Sequence, residues 1–161
     1  MKIIDISPVI SEKTAVWPGD NSFSRKISCS MEYGDNYDLS SIHTTVHIGA
    51  HTDAPSHYVK GGVGISEVSL DAYIGQCQVF EINIEKNSRI SVSDLKEEVK
   101  APRVLFKTGS SEDSTKFTED FNALSVELVE YLHKYEVKLV GIDTPSVDLF
   151  DCQDLLAHNQ I

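Results

Sequence analysis

His47, His51, Asp53 and His57 fall within eleven residues, in the run His47-Ile48-Gly49-Ala50-His51-Thr52-Asp53-Ala54-Pro55-Ser56-His57. All occupy odd positions, and in an extended chain alternate residues share one face. Gly49 and Pro55 must bend the path, so the spacing predicts a strand end running into a curved loop. Either geometry can aim several of these side chains at one point. Neutral imidazole and carboxylate are natural ligands of zinc or manganese. Crowded together without a metal, protonated imidazoles would repel one another, and neutral ones would each need a separate hydrogen-bond partner. The density of ligand types therefore points to a metal or catalytic centre.

The elements that must position this run are short. Lys2 to Ser7 is a β-type run closed by Pro8, and Val16-Trp17-Pro18-Gly19-Asp20 is a turn. Alternation predicts a strand over Phe23 to Met31. Leu39 to Ile48, rich in Thr, Val and Ile, predicts the strand that leads into the run. Gly49 to Gly64 must be mostly loop. Val79 to Ile84, Arg103 to Lys107 and Leu139 to Ile142 read as further strands. Ser91 to Val99 reads as a short helix with a serine cap and early acids. Ser125 to Tyr135 reads as a helix with Val126, Val129 and Leu132 on one face. Asp151 to His158 suggests one or two last helical turns. These elements predict a compact α/β single domain over residues 1–161, with more strand than helix.

Composition narrows the partners. Fourteen Lys and Arg against 25 Asp and Glu give a net charge of −11, which argues against nucleic acid and anionic membrane surfaces. Cys29, Cys77 and Cys152 show no C-x-x-C spacing, so neither a disulfide framework nor a Cys-rich zinc site is expected. Asp5 interrupts the start too early for a signal peptide, and no apolar run approaches the ~20 residues of a membrane span. The expectation is a soluble cytoplasmic protein.

The run at 47–57 resembles the signature H-x-G-T-H-x-D-x-P-x-H of the metal-dependent cyclase family. His47, Gly49, His51, Asp53, Pro55 and His57 match it, and Ala50 stands where the family usually has threonine. Asp5-Ile6-Ser7-Pro8, Trp17-Pro18-Gly19-Asp20, Leu39 to His47 and Gly141-Ile142-Asp143-Thr144-Pro145-Ser146-Val147-Asp148 are similar to blocks of the bacterial kynurenine formamidases (arylformamidases) within that family. The resemblance implies a central, mostly antiparallel or mixed β-assembly flanked by helices, of the swivelling β/β/α type, and a homodimer or larger homo-oligomer. It implies hydrolysis of N-formyl-L-kynurenine to L-kynurenine and formate, with one or two Zn2+ per chain, or Mn2+. It makes His47, His51 and Asp53 ligands, Asp53 a possible bridge between two metals, and His57 the proton donor and acceptor. His158 matches a further family ligand. Asn159 stands where a second histidine often follows, which leaves open which of the two positions ligates. In the family the chain continues past this point into a core strand carrying a glutamate ligand. The expectation is therefore a C-terminally truncated form lacking that strand, with reduced activity.

Trp17 sits in a Pro-Gly turn. A lid on the core and an aromatic wall against the substrate ring are both open, and the second makes it the substrate-binding candidate. His43 reads as a strand residue and His133 as a solvated helix residue. Asp143 and Asp148 flank a turn and are expected to bind backbone amides. Since the motif specifies metal and water, the alternatives are another amide or lactam such as isatin, or a non-catalytic metal-binding remnant.

Overall fold

The alternation seen from Phe23 to Met31 becomes β1, Ser24–Cys29, which pairs antiparallel with β2, Leu39–His43. The register shifts between Ile27 and Cys29, a bulge that ends regular pairing before the connection. Carboxylates fasten the connection, where Asp35 accepts from the Ser30 amide at 2.7 Å and Asp38 from the Met31 amide at 2.9 Å. β2 stops at His43, short of the expected Ile48, because the next segment has other partners. The Thr45 amide donates to the Asn21 carbonyl at 2.9 Å, and the Thr45 hydroxyl to Asp20 at 3.0 Å.

The computed structural model describes residues 4–161. Its described residues form two units, 4–52 with 113–117 and 53–112 with 118–161. The first holds β1 and β2. Of the β-type run expected at Lys2 to Ser7, residues 2 and 3 lie outside the described residues. Residues 4–7 form no strand, and Asp5 instead accepts from the Ser7 amide in a local turn.

The second unit is built on β3 (Gln78–Glu81), β5 (Arg103–Lys107) and β7 (Leu139–Ile142), paired in parallel in the order β3-β5-β7. β4 (Arg89–Ile90) and β6 (Ala123–Leu124) form a second parallel pair. The assembly is α/β and mixed, as expected, but among the described residues antiparallel pairing is confined to β1 and β2. Each strand of the larger sheet returns through a long crossover, and a long crossover brings the chain back in the same direction. Leu105 pairs with Gly141, where a Cβ would stand 2.5 Å from the leucine Cδ2. A side chain at that position would require the Leu105 side chain to move aside.

The crossover from β5 to β7 carries helix α1, Val126–Lys134, capped where Ser125 Oγ accepts from the Leu128 amide at 3.1 Å. Its buried face is Leu128, Val129 and Leu132, and Val126 is only half-buried. The stripe lies further along the helix than the sequence reading placed it, because Leu128 and Leu132, spaced i,i+4, point at the sheet. These residues pack with Phe80, Val104, Phe106, Ile90 and Leu124 to form the core.

Two expected helices are absent. Ser91 to Val99 yields only a tight 3-10 turn at Val92–Asp94. Asp94 takes both the Ser91 amide and the Ser91 hydroxyl at 2.7 Å, which caps the turn, and the chain becomes extended at Leu95, with φ −76° and ψ 118°. Asp151 to His158 forms only turns, where Leu155 adopts a left-handed φ of 48°.

Candidate functional site

The segment leaving β2 is held by Thr45, whose buried hydroxyl accepts from the His47 amide at 3.2 Å while donating to Asp20. Gly49 then turns the chain at φ 60°, with Ile10 side-chain carbons 3.0 and 3.3 Å from where a Cβ would stand. The turn folds His51 back, so that its Nδ1 lies 3.0 Å from the Gly49 carbonyl. A carbonyl only accepts, so Nδ1 carries the proton and Nε2 is the lone-pair nitrogen. The His47 and His51 rings meet edge to face, with centroids 5.1 Å apart.

Along this one uninterrupted stretch, His47, His51 and Asp53 each offer a ligand atom, and these atoms all lie within 4.8 Å of one another. His47 is half-buried, and the other two are exposed. Two imidazoles and a carboxylate at that separation match the borderline-hard donor set of a divalent transition metal. The donors present therefore fit a metal ion.

His57 ends a single 3-10 turn, Pro55–His57, with Pro55 at the first position, where a missing N–H is harmless. The His57 amide donates to the Ala54 carbonyl at 2.9 Å. Its ring meets the Tyr58 ring at 4.2 Å, and Tyr58 in turn lies 3.9 Å from the His158 ring. Tyr58 thus joins two histidines that are far apart in sequence. Burial, followed by the negative charges of Asp53 and Asp148, pushes the Tyr58 phenol up to about 12. The phenol stays neutral and able to donate at any working pH. Sequence reading missed Tyr58, although its place beside His57 was a usable signal.

His158 is nearly buried, and its Nδ1 lies 2.7 Å from Asp148. Asp148 is 1% exposed and also accepts from the backbone amides of Ala157 and His158 at 3.0 Å and from Arg89 at 2.8 Å. Asn159 is exposed and donates to the Asp154 carbonyl at 2.8 Å. Asp143 accepts from the Thr108 and Gly109 amides at 2.9 Å, so both aspartates bind backbone amides as expected. Trp17 is partly exposed and packs edge-on against Phe117 at 5.3 Å. His43 lies on β2 opposite Ser24, and His133 is exposed on α1.

Asp148 carries a pH signature. Burial alone would raise its carboxyl, but the Ala157, His158 and Arg89 hydrogen bonds outweigh that and lower it from 3.8 to about 2. A depressed carboxylate stabilises the fold fully above its ordinary range, and that contribution is lost as pH falls through the folded value. Metal-free protein should therefore lose on the order of 2 kcal/mol of stability between pH 4 and pH 2 from this group. Asp148→Asn should flatten that part of the profile in denaturant melts followed by circular dichroism.

No described helix is long and apolar enough to cross a membrane. Residues 4–149 match the family model "Putative cyclase". The chain is 32% identical over 160 residues to a kynurenine formamidase of Bacillus cytotoxicus, covering 98% of this chain and 76% of the relative. It is 33% identical over 160 residues to a kynurenine formamidase of Erythrobacter litoralis, covering 99% of this chain and 74% of the relative. Its fold superposes with a TM-score of 0.76 and 25% identity on a solved structure described as a potential metal-dependent hydrolase with cyclase activity, over 99% of this chain and 75% of that one. With the His47-x-Gly49 to His57 signature in place and these matches spanning nearly all of its residues, the chain belongs to the cyclase family.

Proposed function

We propose that this protein is a metal-dependent arylformamidase that hydrolyses N-formyl-L-kynurenine to L-kynurenine and formate. The observation that carries the reading is the convergence of His47, His51 and Asp53 donor atoms within 4.8 Å, in a chain 32% identical to a kynurenine formamidase. We assign zinc, one or two ions per chain, as the native metal, with manganese as the second choice, because mixed imidazole and carboxylate donors suit both. His158 is the further ligand in this reading. When bound, the ion supplies a Lewis acid that polarises the formyl oxygen and acidifies the attacking water.

The chain's own residues do the rest. His51, held as the Nδ1–H tautomer by the Gly49 carbonyl, presents Nε2. His57 accepts the proton of the attacking water and returns it to the aniline nitrogen as the C–N bond breaks, releasing formate and the free arylamine. Its ring packs against the Tyr58 ring, with centroids 4.2 Å apart. Tyr58, neutral over the working range, packs its ring against both His57 and His158. Trp17 stacks on the aryl ring of the substrate. The protein works as a homodimer or larger homo-oligomer in the cytoplasm, a setting that its uncrosslinked Cys29, Cys77 and Cys152 support.

The test is formate release from N-formyl-L-kynurenine by zinc-loaded and chelator-treated protein, with isatin as a parallel substrate. Metal-dependent turnover of the formamide is the expected result. Turnover of isatin alone, or of neither substrate by protein that holds zinc, would overturn the reading. For Trp17→Ala the expected result is a KM for formylkynurenine raised about tenfold with kcat little changed, the effect of losing roughly 1.4 kcal/mol of stacking. Steady-state kinetics check it, and unchanged constants in a stably folded variant would return Trp17 to a packing role on Phe117.

A further inference from the structure

We infer that Asp148 is the positioning residue of His158, holding its imidazole as the Nδ1–H tautomer so that Nε2 is the nitrogen presented to a metal ion. The inference rests on the proposed ligand role of His158 and adds the group that makes the ring competent for it.

The two carboxylate oxygens divide the work. Oδ1 takes the Arg89 guanidinium at 2.8 Å and shares the Ala157 amide. Oδ2 takes the His158 amide at 3.0 Å and faces His158 Nδ1 at 2.7 Å. An ionised carboxylate only accepts, so the proton between Oδ2 and Nδ1 belongs to the ring. Backbone and side chain of the same histidine therefore bind the same oxygen, which fixes both the position of the residue and the rotation of its ring. The Tyr58 ring, at 3.9 Å, packs against the imidazole.

Arg89 makes this arrangement affordable. A buried carboxylate without a compensating cation would be costly. Arg89 supplies the cation and is itself anchored by the Leu124 carbonyl at 2.7 Å and by Cys152 Sγ at 3.1 Å. Asp148 thus has a balancing charge on one side and leaves its other oxygen for His158. A carboxylate on the far nitrogen of an imidazole raises the basicity of the ligating one and fixes its direction, and loss of such a partner typically weakens metal affinity about 10–100-fold.

The experiment uses the full chain labelled with 15N-histidine, with His158→Gln to assign the His158 resonances and zinc chloride as the probe. In metal-free wild type at pH 8, the expected His158 pattern is a protonated, pyrrole-type Nδ1 and a lone-pair, pyridine-type Nε2. Zinc should shift the Nε2 resonance and leave Nδ1 protonated. In Asp148→Asn, the negative charge that favours the Nδ1–H form is gone, and an amide NH2 turned toward Nδ1 holds the opposite tautomer, as in the Asp-to-Asn change of a Ser-His-Asp triad. The ring should populate the Nε2–H form, and zinc affinity should fall about 10–100-fold for the equivalent that His158→Gln also loses. An Nε2-protonated ring in wild type would overturn the role of Asp148 while leaving His158 as a ligand. Unchanged zinc binding by His158→Gln would overturn the ligand role instead, and the positioning role with it. If Asp148→Asn fails to fold, the wild-type spectrum and its zinc titration decide the matter.

Discussion

Replacing Asp53 by asparagine is expected to cost most of the bound metal and more than about a hundredfold in turnover. Loss of a group that merely orients a ligand already costs about 10–100-fold. Asp53 is one of the three donors that converge within 4.8 Å, and the only anionic one. Asparagine keeps the shape and a carbonyl oxygen but removes the charge that offsets the cation. The side chain is exposed, so the fold should survive. Elemental analysis of protein purified without chelator, beside formate release and a circular dichroism melt, checks all three parts. A variant with wild-type metal content and wild-type rate would remove Asp53 from the centre, and the donor set with it.

His57→Ala is expected to show the opposite pairing, with metal retained and turnover reduced about 10²–10⁴-fold, the usual contribution of a positioned proton-transfer group. His57 lies outside the convergent set and ends its own short turn, so its removal leaves the His47, His51 and Asp53 donors in place. Read together, the two variants separate metal binding from proton transfer. If His57→Ala loses its metal as Asp53→Asn does, His57 is a ligand and not a base. If it keeps full rate with metal bound, His57 has no proton-transfer role and another group moves the proton.

Much of this molecule was legible before any coordinates, for a specific reason. The donors His47, His51 and Asp53 are separated by only a few residues, and Gly49 supplies the left-handed turn that folds them together. A site that closes within one turn needs almost nothing from the rest of the chain. Helix α1 and strand β5 were legible for similar reasons. The Ser125 cap acts locally, and Arg103 to Lys107 is a short run ended by Thr108-Gly109. Where reading failed, a local signal had a stronger competitor. Ser91 does cap a turn with Asp94, but the chain becomes extended at Leu95 after that single turn. The expected strand to Ile48 was cut at His43 because Thr45 found Asp20 and Asn21.

Sequence alone determined the family signature, the chemistry of its donors and the α/β character of the chain, since each rests on residue types and short spacings. The tertiary structure decided what comes from far apart. It chose parallel pairing for β3, β5 and β7, and it placed the Tyr58 ring between His57 and His158. It also set Arg89 against Asp148 across 59 positions, and Asp148 against His158. Neither Arg89 nor Asp148 belongs to a motif that names its partner. An aspartate in a turn signals only hydrogen bonding to nearby amides, and that is also what Asp143 does. Whether such a carboxylate additionally orients a histidine depends on burial and on a balancing cation, and only the packed core brings those two conditions to one place.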